Sequence, residues 1–166
     1  MNFQNTIKIL KVVLSVGDES GIGPEIILKS LYSNAIPENI DYVVVGSKKN
    51  LQNTYEYLRS LGLENLANPK NLDIYDLKIS SSENNSKSSY GNSSFQYLTK
   101  AIEIVKQFPN SALVTGPICK KSWYLAGHYF SGQTEVLAKL CGVKNVGMLF
   151  TAKSPITGWR LSLIHI

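Results

Sequence analysis

The densest group of chemistry-bearing residues in this 166-residue sequence lies between Leu113 and Glu135. The apolar run at 112–114 meets Thr115-Gly116-Pro117 and then the paired cations Lys120 and Lys121. A second polar turn, Ser131-Gly132-Gln133-Thr134-Glu135, opens another helical pattern. Helix N-termini present unpaired backbone donors and a partial positive charge, so two such junctions with cations and hydroxyls suit an anion. A lysine at the first of them, Lys120, can meet a phosphate as a point charge. The alternative is two ordinary capped helix starts.

Other candidates are weaker. Residues 17–25, Gly-Asp-Glu-Ser-Gly-Ile-Gly-Pro-Glu, form a glycine-rich turn. It matches neither a dinucleotide fingerprint, because Ile26 stands at the third glycine position, nor a phosphate loop ending in Gly-Lys-Ser/Thr. Asp18 and Glu19 there either cap helix donors, face a substrate or simply shape the turn. Cys119, beside two lysines, is a thiolate candidate, but a small buried apolar role is the expectation. His128 sits in a loop, where a surface or hydrogen-bonded structural role is expected. His165 ends an apolar strand. Strand ends are where ligands gather in open α/β sheets, yet a catalytic metal needs about three protein ligands and spacing alone supplies no such set.

Elements must position these residues, and the pattern alternates. Strands are predicted at 11–16, 42–45, 72–77, 112–115, 146–151 and 161–166. Helices are predicted after Pro24, at 51–61 before Gly62, at 95–108, from Lys120, and at 134–141 before Gly142. Alternation of this kind predicts an α/β fold with a mostly parallel sheet and flanking helices. The serine- and asparagine-rich stretch 80–94 reads as a mobile surface loop, either a flap over a site or a tolerated insertion. The last strand ends the chain without a covering helix, so residues 1–166 read as the N-terminal part of a larger fold.

Composition narrows the function classes. With 43% hydrophobic and 17% charged residues the chain is an ordinary globular one. No apolar run reaches the roughly 18 residues that span a bilayer, so no membrane partner is expected. The net charge of +5 comes from scattered lysines, with no RNA-binding aromatic signature and no zinc-finger spacing. It therefore suits small anionic substrates rather than nucleic acid. Two cysteines make no disulfide framework, which points to the cytoplasm.

Three segments together resemble the PdxA family, 4-hydroxythreonine-4-phosphate dehydrogenases of vitamin B6 synthesis. Residues 15–25 are similar to the family's GDPAGIGPE opening. Residues 112–121 with Ala126-Gly127 are similar to ALVTGPVHK followed by DAG. Gly132-Gln133-Thr134-Glu135 stands at the place of GHTE, and with Met148-Leu-Phe-Thr-Ala and Thr157-Gly-Trp-Arg it is similar to the cyanobacterial branch. Gln133 replaces the histidine of GHTE, Cys119 replaces that of GPVHK, and the segment before His165 lacks the family's Thr-Thr.

The resemblance implies a fold like isocitrate and isopropylmalate dehydrogenases, with the second half absent here, and a homodimer at full length. It implies oxidation of a phosphorylated hydroxy amino acid, 4-phosphooxy-L-threonine, by NAD or NADP. Decarboxylation to 3-amino-2-oxopropyl phosphate follows, assisted by a divalent metal ion (Zn, Mg or Co), on the way to pyridoxine 5'-phosphate. Substrate contacts fall on Gln133 and Thr134, with Lys120 an electrostatic contributor, and one metal ligand falls on His165. The chain alone is expected to be inactive. The alternatives are a sister dehydrogenase acting on a phosphorylated threonate and a non-catalytic truncated or frameshifted remnant.

Overall fold

Valine-rich runs form the middle of a parallel sheet, as fully buried strands require. In the computed structural model β1 is Leu10–Ser15, β2 Ile40–Gly46, β3 Ile74–Asp76 and β4 Ser111–Thr115. They pair in the order β3-β2-β1-β4, every neighbour parallel. The structure describes residues 10–32, 37, 39–79, 86–154 and 158–165, with side chains through residue 152. The chain divides into two compact units, 1–129 and 130–166.

In the first unit, α1 (Gly23–Ser30) and α2 (Lys48–Ser60) link β1 to β2 and β2 to β3. Pro24 sits in the first turn of α1, and Ser47 caps α2 by accepting a hydrogen bond from the Asn50 amide at 3.1 Å. A short 3₁₀ turn, Pro69–Asn71, leads into β3. The long α3 (Lys87–Gln107) then carries the chain back past β1 to β4, packing on β1, β2 and β4. Reversing direction with right-handed crossovers places α3 on the sheet face opposite α1 and α2. Val13, Leu14, Val44 and Val45 pack with Ile27, Leu28, Leu51, Leu58, Tyr97 and Ala101. β4 forms the outer edge of this sheet, with Ala112 exposed and Val114 50% exposed.

The start of α3 corrects the sequence expectation. Residues 87–94, read as loop, form its first two turns, with Ser86 as cap accepting from the Ser89 amide at 3.1 Å. Residues 80–85 lie outside the described residues. Low helix propensity is overridden by packing: Gly91, Ser93 and Ser94 are buried. A Cβ on Gly91 would stand 2.0 Å from the Ser122 carbonyl oxygen, so α3 and α4 (Lys120–Leu125) touch backbone to backbone. Ser94 Oγ donates to the Gly91 carbonyl and accepts from Trp123 Nε1 at 2.8 Å, which satisfies the buried indole.

The second unit holds α5 (Gln133–Cys141), ending at Gly142, and the strands β5 (Gly147–Ser154) and β6 (Gly158–His165). β5 and β6 pair antiparallel, with Gly147 opposite His165. The expected strands are thus present, but as a hairpin outside the parallel sheet. Ile166 lies outside the described residues.

Gly91→Ala is expected to lower unfolding free energy by about 1–3 kcal/mol, the cost of overpacking. Urea denaturation measures it, and an unchanged midpoint would contradict the close approach of α3 and α4.

Candidate functional site

The glycine-rich turn after β1 and the turn after β4 meet where the strand order reverses direction. Such switch points, at strand C-terminal ends, are the ligand crevices of open α/β sheets. Gly17 holds φ of +77°, and a Cβ there would lie 2.3 Å from the Pro117 carbonyl oxygen. The Asp18 amide donates to that same oxygen at 2.9 Å, and the Gly116 amide donates to the Ser15 carbonyl at 2.8 Å. This crevice is closed by backbone. The buried Asp18 carboxylate accepts from the Ser20 amide at 2.9 Å and the Ser20 hydroxyl at 2.6 Å. Asp18 therefore shapes the turn. It does not cap α1, whose N-cap is Ile22 without a side-chain hydrogen bond.

Glu19 points the other way and accepts a hydrogen bond from the Tyr97 hydroxyl on α3. Burial pushes the Glu19 carboxyl above the ordinary carboxylate range, the Tyr97 hydrogen bond draws it back, and the Asp18 charge pushes it up again. Burial, then the Glu19 charge and hydrogen bond, push the Tyr97 phenol up. The sequence flagged Glu19 but gave no sign of Tyr97, which is 78 positions away and carries only the ordinary signature of a core helix face.

Lys120 is exposed at the first position of α4. Cys119, its N-cap, is half-buried rather than a buried apolar residue. The Ser122 hydroxyl, then the backbone amides of Ser122 and Lys121, hold its thiol below the ordinary value, although no full side-chain cap hydrogen bond forms. His128 does take the expected structural role. Its ring stacks on Phe95 at 3.8 Å between centroids, and Nε2 shares a hydrogen bond of 3.2 Å with Asn92 Oδ1. Burial lowers its pKa, keeping the ring neutral near pH 7.

Gln133 and Thr134 begin α5 in the second unit, both half-buried. Gly132 precedes them in extended backbone and supplies no side-chain cap. The Ser131 hydroxyl donates to Glu135 at 2.8 Å. Lys120 thus stands in one unit and Gln133 and Thr134 in the other. His165 ends β6, and its side chain lies outside the described residues. Among the described residues no group of three His, Cys, Asp or Glu side chains converges to hold a metal ion.

The family model for "Pyridoxal phosphate biosynthetic protein PdxA" matches residues 38–164. The chain belongs to the PdxA family. The 4-hydroxythreonine-4-phosphate dehydrogenase of Synechococcus sp. (strain RCC307) is 40% identical over 156 residues, which cover 93% of this chain and 47% of that protein. The namesake from Nostoc sp. (strain PCC 7120 / SAG 25.82 / UTEX 2576) is 41% identical over 158 residues, covering 91% of this chain and 44% of that protein. The crystal structure of a 4-hydroxythreonine-4-phosphate dehydrogenase from Burkholderia phymatum shares the fold, with a TM-score of 0.73 at 24% identity, over 87% of this chain and 47% of that one. The chain spans about half the length of these PdxA relatives. The parallel sheet, the motif resemblance and the cyanobacterial similarity agree.

The raised Glu19 pKa sets a pH dependence. The folded chain holds this proton more tightly than the unfolded chain, so stability falls as pH rises from the ordinary carboxylate value through the raised one. Glu19→Gln keeps the shape and removes that slope. Urea midpoints of wild type and variant should diverge across this window, and parallel profiles would contradict the buried proton.

Proposed function

We propose that the chain is the N-terminal half of an NAD(P)-dependent 4-hydroxythreonine-4-phosphate dehydrogenase. The reaction is oxidation of 4-phosphooxy-L-threonine followed by decarboxylation to 3-amino-2-oxopropyl phosphate, a step toward pyridoxine 5'-phosphate. The observation that carries this reading is Gly132-Gln133-Thr134-Glu135 opening an α5 without a side-chain cap, inside the segment matched by the PdxA model.

The roles follow from donor chemistry. The first-turn amides of α5 and the Thr134 hydroxyl donate to the substrate phosphate. The Gln133 amide donates as well, but unlike a histidine it does not titrate near neutral pH. Lys120 contributes a point charge. NAD or NADP, when bound, accepts the hydride. His165 is one proposed ligand of a divalent ion (Zn, Mg or Co), and the described residues do not supply a complete ligand set with it. In this reading the present half binds and orients the substrate, and the remaining metal ligands and the rest of the cofactor site belong to the half that the relatives carry beyond it. The full-length protein is proposed to work as a cytoplasmic homodimer with the site at a domain and subunit junction. Among the described residues no helix is long and apolar enough to cross a membrane.

Two preparations test this. The purified 166-residue chain is expected to form no reduced nicotinamide from 4-phosphooxy-L-threonine; turnover would refute its dependence on a second half. A chimera in which it replaces the matching part of the Nostoc relative is expected to turn the substrate over. In that chimera Gln133→Ala and Thr134→Val are each expected to raise KM about tenfold, the loss of a hydrogen bond to a charged group. A folded chimera inactive on this substrate but active on a phosphorylated threonate would favour the sister activity. Inactivity on both would favour a non-catalytic remnant.

A further inference from the structure

A cavity of about 370 Å³ opens at the C-terminal ends of β1, β2 and β3, and of the motif residues considered above only Glu19 lines it. That volume falls within the roughly 300–1,000 Å³ usual for small-molecule sites. Its polar lining comes from Glu19, Ser47, Lys49, Asp76, Lys78 and Tyr97, and Leu77 and Ile79 add an apolar wall.

The inventory of partners decides what fits. The Asp76 carboxylate already accepts from the Lys48 amide at the start of α2, at 2.9 Å. The Glu19 carboxyl is engaged by the Tyr97 hydroxyl. Ser47 Oγ accepts the Asn50 amide, which leaves its proton to donate. Buried Ser93, on the α3 side, also lines the cavity, with its hydroxyl engaged by Tyr97. Lys49 and Lys78 are exposed at the rim, and neither pairs with a carboxylate among the described residues. Each acid thus accepts one hydrogen bond from the protein, while two cations and the Ser47 hydroxyl remain to donate. An apolar ligand would strand these groups. A small organic phosphate bearing hydroxyls satisfies them: lysines on the phosphate, Ser47 on a hydroxyl, and carbon against Leu77 and Ile79.

We propose that this cavity is a second anion site, distinct from the α5 turn, that binds a small phosphorylated polyol or hydroxy acid. The ligand is either the dehydrogenase substrate itself or a different phosphorylated metabolite of the same chemistry. It is placed by Lys49 and Lys78.

Calorimetric titration of the 166-residue chain with glycerol 3-phosphate, 4-phosphooxy-L-threonine and, as a control, glycerol tests it. Saturable binding of at least one phosphorylated probe and none of glycerol is expected. The double variant Lys49→Gln/Lys78→Gln should weaken that binding about tenfold to hundredfold, the scale of lost charge-assisted hydrogen bonds. Lys70→Gln, at an exposed lysine outside this lining, should leave it unchanged. Amide shifts of the labelled wild-type chain should cluster on Ser47, Lys49, Asp76 and Lys78, which reads the site even where a variant folds poorly. Preference for 4-phosphooxy-L-threonine would assign the substrate, and preference for glycerol 3-phosphate a different metabolite. No saturable binding, shifts confined to α5, or affinity unaltered in the double variant would overturn the proposal. The dehydrogenase reading is tested separately by turnover in the chimera, so either can fail alone.

Discussion

The turns leaving β1 and β4 run against each other with no side chain between them. Gly17 faces the Pro117 carbonyl, the Asp18 amide bonds to that carbonyl, and the Gly116 amide reaches back to Ser15. Buried backbone donors and acceptors must find partners, and here they find one another only at glycine–glycine range. The approach fixes β1 and β4 side by side at the switch point and starts the path to α4. It also turns Glu19 away from the crevice toward α3. A side chain at residue 17 would require both a strained φ and displaced backbone, and each of these placements would shift with it.

Helix α3 answers the same constraint from across the sheet. Its N-terminal half carries few apolar residues, yet it packs closely because its polar groups are satisfied locally. Ser94 bonds to Gly91 within its own helix and takes the Trp123 indole proton. Ser88 donates to the Leu125 carbonyl at 3.1 Å. Phe95 then lies edge-on to Trp123 and flat against His128. Burying polar atoms is costly only when they lack partners, and small hydroxyl side chains let the two helices come closer than leucine would. The same helix brings Tyr97 under Glu19, so the packing that stabilises the unit also lines a polar recess.

The strand and helix alternation was legible in the sequence because buried parallel strands and amphipathic helices leave periodic apolar marks. Pro24, Gly46 and Gly142 marked real boundaries. The first turns of α3 were not legible. Serine and asparagine favour loops when judged locally, and the contact that overrides them is made with Ser122, far along the chain. The antiparallel pairing of β5 with β6 was also hidden, since short apolar runs do not declare their direction. At the candidate site, Gln133 and Thr134 stood out by motif and His128 by its loop setting. The Glu19–Tyr97 pair and the half-buried state of Cys119 depend on tertiary neighbours that no local pattern encodes.

β1 is one of two interior strands, and its two partners arrive at very different times. Lys11 pairs with Asp41 on one side and with Ser111 on the other. During synthesis at about 5–20 residues per second, the hundred positions separating Lys11 from Ser111 take on the order of 5–20 s to appear. Through that interval Val12, Val13 and Leu14 can pair on one edge only, and the opposite edge is open to any passing strand. The nascent chain therefore meets its greatest risk of mispairing before α3 and β4 emerge. Protection over those seconds, by slow translation or by a holding chaperone, should govern its yield more than the stability of the finished sheet.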